Sequence, residues 1–157
     1  MEPAYVLAPV AERAAVNSPL LRLLFDHWLD VARGGIPPPS AIDLDHLEPV
    51  LPFHWWFSAQ DGGADFMARR MGTETVRTYG IDFTGRSLLD AGRLTFAARA
   101  MLVLRAPMRE RRPCRFFSET TVIPERIFYD IEALALPLSS DGETIDEVVG
   151  ATVVRHL

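Results

Sequence analysis

Three stretches of this chain, residues 53–59, 133–138 and 148–154, are apolar on both parities. A β-strand sends successive side chains to opposite faces, so each such stretch needs cover on both sides. The chain therefore calls for a sheet with a buried middle and something apolar to lay on each face. Two further strand-like stretches carry charge or proline. Residues 66–71 include Arg69 and Arg70, and residues 112–123 include Pro113, Arg115 and Glu119. Such residues suit the edges of a sheet. Turn signals lie between them at Asp61-Gly62-Gly63, Pro124-Glu125 and Ser139-Ser140-Asp141-Gly142, where Gly tolerates φ > 0 and Asp favours turns. Five antiparallel strands, numbered along the chain, are expected in the order 2-1-5-4-3, an α+β arrangement.

The clearest helix is 19–33. Ser18 is placed to cap it, and Pro19 suits its first position because the unpaired first-turn N–H groups need an acceptor and proline has none to lose. Leu20, Leu21, Leu24, Phe25, Trp28 and Ala32 recur at helical spacing, and Gly34-Gly35 with Pro37-Pro38-Pro39 ends the run. A short helix starts at Gly72-Thr73-Glu74 and stops at Gly80; a longer one, 93–105, is apolar at Leu94, Ala97, Ala98, Met101 and Leu104. These middle helices are expected on one face of the sheet. Helix 19–33 is expected outside the core, and it or a partner subunit is the candidate cover for the other face. Residues 1–17 hold no long periodic pattern and are expected to be a tail or cap, with 18–157 as one domain.

Composition removes several functions. The 157 residues are 48% hydrophobic and carry a net charge of −5, which excludes a disordered chain and disfavours a general nucleic-acid binder. All 16 basic residues are Arg, so neither Schiff-base nor P-loop lysine chemistry is available. One cysteine, Cys114, cannot form a bridge within the chain, which points to a reducing, cytoplasmic setting. No apolar run approaches the ~18 residues of a membrane helix, and Met1-Glu2-Pro3 lacks the basic flank of a signal peptide.

A set of short motifs runs from Leu20 to the C-terminus. It comprises Leu24-Phe25-Asp26-His27-Trp28, Arg33-Gly34-Gly35, Ile42-Asp43-Leu44, Leu51-Pro52, Met71-Gly72-Thr73, Tyr79-Gly80 and Phe83-Thr84-Gly85-Arg86-Ser87-Leu88. It closes with Leu136-Pro137-Leu138-Ser139-Ser140-Asp141-Gly142 and Val148-Val149-Gly150. In order and spacing this resembles a bacterial family of short, single-domain PAS-like proteins. Arg70 departs from that pattern, which has an aliphatic residue there. The resemblance implies a sensory or regulatory module and no catalytic residue or dependable cofactor.

Individual residues point the same way. Cys114-Arg115-Phe116-Phe117 is similar to the flavin-attacking motif of light-oxygen-voltage domains, but it begins a strand instead of lying among the middle helices, and Pro113 replaces the asparagine. Asp43, Asp45 and His46 are too few for a hard-cation or zinc site, and the aspartates are better placed as caps of a short turn. His27, His54 and His156 are scattered. No catalytic residue, metal or cofactor is therefore expected, and the protein is expected to be colourless. Trp55, Phe57, Tyr79, Phe96, Met101, Tyr129 and Ile131 are the candidate lining of a sheet–helix cavity for a small apolar or amphipathic ligand. Leu21, Leu24, Phe25 and Trp28 are candidates for homodimer contacts, and Arg109, Arg111 and Arg112, within a cluster that includes Arg105 and Arg115, for a protein partner. The expected function is a non-enzymatic regulatory module acting through protein contacts. Its rival is a small-molecule enzyme of a cone or cystatin-like α+β fold, which would need titratable groups converging in the cavity.

Overall fold

The computed structural model of the chain describes residues 5–91, 94–119 and 128–156. Its strands are β1 (Tyr5–Pro9), β2 (His54–Gln60), β3 (Asp65–Met71), β4 (Cys114–Ser118), β5 (Phe128–Leu138) and β6 (Glu147–His156). Its helices are α1 (Pro19–Ala32), α2 (Thr73–Tyr79), α3 (Leu88–Ala91) and α4 (Leu94–Glu110). The strands form one open sheet in the order β1-β4-β5-β6-β2-β3, every neighbouring pair antiparallel.

The expected count of five strands is corrected to six. Residues 5–9, read as part of a tail, pair with β4 from Tyr5↔Ser118 to Pro9↔Cys114. The bonding continues one residue further, where the N–H of Val10 donates to the carbonyl of Pro113 at 2.9 Å. The strand at 112–123 was expected at an edge; its described part, β4, has β1 on one side and β5 on the other. Proline does not disturb the ladder, because Pro113 precedes the strand and supplies only a carbonyl. The expected turn at Pro124-Glu125 lies outside the described residues.

Alternation divides the sheet into two apolar faces. Trp56, Leu134, Leu136, Leu138, Val149 and Ala151 gather on one, and α1 lays Leu21, Leu24, Phe25 and Trp28 over them. Helix 19–33 is thus part of the core and not outside it. It begins as its cap predicts, with the Ser18 hydroxyl accepting from the Leu21 N–H and Pro19 in the first turn. It ends where Arg33 and Gly34 turn left-handed, at φ 50° and 84°. The Trp28 indole donates to the Pro137 carbonyl at 2.9 Å.

One buried carboxylate fixes the start of α1. Glu132 of β5 is 4% exposed. It accepts from the Asn17 and Ser18 N–H groups at 2.8 Å each, and from Arg115 of β4 at 2.5 Å. An anion at a helix start is favourable, and a buried charge must be paired in this way.

On the other face Trp55, Phe57, Ile131, Ala133 and Val148 meet Met101 and Leu104 of α4, together with Phe66, Phe83 and Phe116. Gly150 sits opposite Trp55, and a Cβ there would overlap both the indole and the Leu134 carbonyl. Loop 82–87 covers part of the β3 edge, with Gly85 donating to the Ala68 carbonyl and the Ala68 N–H donating to Arg86. Helix α4 runs five residues past its expected end, through Pro107 to Glu110.

Replacing Glu132 with Ala leaves Arg115 and two N–H groups without their acceptor. The expected cost is about 3–5 kcal/mol in urea unfolding, or roughly 10 °C in Tm. Equal stability of Glu132→Ala and the native protein would show that the carboxylate does not hold α1.

Candidate functional site

The aromatic layer expected to line a cavity is largely a packed core. Trp55, Phe57, Met101 and Ile131 are buried together, with ring centroids 5.9 Å apart for Trp55–Phe57 and 6.0 Å for Phe57–Phe83. The side chains of Phe96 and Tyr129 lie outside the described residues. Trp55 Nε1 donates to Thr152 Oγ1 at 2.8 Å. Tyr79, half-buried at the end of α2, shares that hydroxyl. Burial raises the Tyr79 phenol above its ordinary value, and the hydrogen bond with Thr152 partly offsets the rise. The layer thus offers a small polar point, Trp55–Thr152–Tyr79, within apolar walls. Thr152 carried no signal in the sequence beyond interrupting an apolar strand.

The residues expected to make a homodimer surface are elsewhere. Leu21, Leu24, Phe25 and Trp28 are at most 4% exposed, packed on their own sheet. A second copy has no access to them while α1 is seated.

The arginine cluster divides into bound and available members. Arg115 is committed to Glu132 and to the Phe117 ring, 4.9 Å away. Arg105 donates to the carbonyls of Gly63 at 2.7 Å and Ala64 at 3.4 Å. Arg109 sits 3.9 Å from Glu110, and Arg111 closes α4 in a left-handed conformation, φ 57°. Arg105, Arg109 and Arg111 line an open cleft of about 550 Å³ with Met108, Gly62, Glu143, Thr144 and Ile145. Arg112 is exposed beside it but is not among the lining residues. Three separate segments meet here: the end of α4, the β2–β3 turn and the β5–β6 connection. The arginines were legible as a charge run. Their partners across the cleft were not, because they lie some forty residues away on either side.

Asp43 precedes the 3-10 turn Leu44–His46 but gives it no side-chain cap. The expected capping role is corrected: its carboxylate bonds the His46 ring, which lowers the acid and raises the imidazole. Asp45 lies 3.7 Å from Arg70, the residue that departs from the motif pattern. Among the described residues no group of three or more His, Cys, Asp or Glu could hold a metal.

His54 is 4% exposed on the α1 side of β2. Its Nδ1 bonds the Leu51 carbonyl at 2.5 Å, and its buried Nε2 has no hydrogen-bond partner among the described residues. Burial lowers its pKa below 6.5, aided by the nearby Arg70 charge. Cys114 is fully buried, and its thiol donates to the Arg112 carbonyl at 3.5 Å. Burial, reinforced by Glu110, pushes that thiol up to about 11, which removes the thiolate character a nucleophile needs.

No protein-family model matches the chain, and no curated protein matches it either. No helix among the described residues is long and apolar enough to cross a membrane.

Two outcomes test these environments. At pH 8, native Cys114 is expected to react with a thiol reagent about a hundredfold more slowly than the urea-unfolded chain; equal rates would mean the thiol is exposed. His54 holds a proton less readily when folded than when unfolded, so its contribution to stability is full above about pH 6.5 and is lost as the pH falls below that. His46 acts with the opposite sign because its pKa is raised. On a His46→Gln background, urea midpoints are therefore expected to fall between pH 7.5 and 5.5, and His54→Gln to flatten the slope.

Proposed function

We propose that this chain is a PAS-like regulatory module that works through protein contacts, with the arginine-lined cleft at the end of α4 as its contact surface. One observation carries the reading. A chain of net charge −5 gathers Arg105, Arg109 and Arg111 around one open cleft, facing solvent. Arginine forks recognise carboxylates and phosphates bidentately, and three arginines against one lining carboxylate, Glu143, suit an acidic partner.

Support for the PAS-like part comes from topology. With β1 set aside, the remaining strands run β3-β2-β6-β5-β4, which is 2-1-5-4-3 in their own chain order. Helices α3 and α4 pack on one face and α1 on the other. Against the rival enzyme stands the placement of the buried imidazole and carboxylate. His54 and Glu132 point to the α1 side, away from the Trp55–Thr152–Tyr79 layer, and Glu132 is already paired. A small apolar ligand that modulates the contacts would enter beside Trp55 and Tyr79.

In cells that express this chain, a photoactivatable amino acid at Met108 is expected to crosslink one discrete protein, and one at exposed Leu29 on α1 is not. Absence of an adduct at Met108, or the same adducts from both positions, would remove the contact surface. For the ligand, a compound at a hundred times its dissociation constant adds about 2.7 kcal/mol. That raises Tm by roughly 5–10 °C in a metabolite screen. No shift from any compound would leave an interaction module without a ligand.

A further inference from the structure

We propose that the cleft takes an extended acidic peptide segment, held by carboxylate side chains, and does not take a phosphate or a nucleic acid. The inference rests on the cleft being a contact surface and adds the chemistry of its occupant. The first ground is which donors are left. The N–H groups of Glu143 and Thr144 are both bonded by Asp141 Oδ1 at 2.8 Å. The Arg111 N–H is bonded to the Pro107 carbonyl at 2.9 Å. Compact phosphate sites draw on convergent main-chain N–H groups, and these three lining amides are not available for one. The three guanidinium groups are then the main donors; such a fork takes a carboxylate or a phosphate, and the charges beside it decide between them.

The second ground is the mixture of charges. Glu143 forms part of the cleft lining with the three arginines. A nucleic-acid backbone presents a charge at every repeat and would meet that carboxylate with repulsion. A peptide places its acids where its sequence allows and can turn an uncharged residue toward Glu143. Thirdly, half-buried Met108 gives the cleft an apolar component, alongside Ile145, which is itself buried. An alternating acidic and aliphatic strand offers a carboxylate to the arginines and an alkyl group to that surface. Arg105 is already oriented by the Gly63 and Ala64 carbonyls, so less ordering remains to be done on binding.

The probe is a fluorescein-labelled decapeptide of alternating glutamate and leucine, followed by fluorescence anisotropy on the full chain. A glutamine-for-glutamate version serves as control. The native protein is expected to bind the acidic peptide, with affinity falling as salt is added, and to ignore the glutamine version. Arg109→Gln and Arg111→Asn are each expected to weaken binding about tenfold. Asparagine tolerates the left-handed backbone of position 111, so Arg111→Asn keeps its Tm and a loss of binding is not a loss of fold. Glu143→Gln is expected to tighten binding about two- to threefold.

Several outcomes would overturn the proposal: no binding of the acidic peptide, equal binding of both peptides, or arginine variants that bind normally. Displacement of the peptide by millimolar inorganic phosphate, or tighter arginine-dependent binding of a single-stranded oligonucleotide, would reassign the cleft to phosphate chemistry. If the peptide fails while the Met108 crosslink persists, the acidic occupant is wrong and the contact surface stands. If both fail, the contact surface falls too.

Discussion

A single buried carboxylate on β5 ties the start of α1 to the middle of the sheet. Glu132 interrupts one face of β5, a position where an unpaired charge would be costly. Its donors all precede it in sequence, two of them from far away: Asn17 and Ser18 ahead of α1, and Arg115 on the neighbouring strand. Because those N–H groups belong to the entry of α1, satisfying the carboxylate also sets where the helix begins. Leu21, Leu24, Phe25 and Trp28 then fall onto Trp56 and the leucines of β5. The polar clamp sets the register, and the apolar contact supplies most of the free energy.

With α1 on one face and α3 and α4 on the other, the arginine-lined cleft lies at the end of the sheet. There α4 finishes beside two connections, the β2–β3 turn and the segment between β5 and β6. The turn at Asp61, Gly62 and Gly63 is left-handed throughout, φ 49°, 68° and 99°. That conformation presents the Gly63 carbonyl to Arg105. The opposite connection is shaped by Asp141, whose carboxylate accepts from Ser139, Glu143 and Thr144 and is held below its ordinary pKa by those bonds. Both connections are therefore shaped by local hydrogen bonding.

The motifs that carry the family resemblance serve this architecture more than any chemistry. Phe83 and Leu88 are buried in the α4-side core. Gly85 bonds the edge of β3, and Ser87 Oγ accepts from the Asp90 N–H at the start of α3. Gly72 lies so close to the Leu51 and Pro52 carbonyls that no side chain fits, and Gly150 makes room for Trp55. A glycine required by close approach shows which segments touch, and says nothing about what the protein binds.

Features that depend on neighbours a few residues away were readable from the amino-acid order. The Ser18–Pro19 start of α1, its glycine end, the turn at 61–63 and the need for cover on both faces of the central strands all follow from backbone sterics, capping and alternation. Contacts between distant segments were decided only in three dimensions. Strand β1 is five residues long and has no pattern of its own; it exists because β4 presents an open ladder. Glu132 reads as a charge at the margin of an apolar strand until residues 114 and 115 positions away supply its donors. Leu21 and Leu24 look like an interface until the sheet covers them. Arg109 and Arg111 read as a solvated run until Gly62 and Glu143 close a cleft around them. Burial and pairing depend on which surfaces meet, and no local preference of a residue states what will lie opposite it.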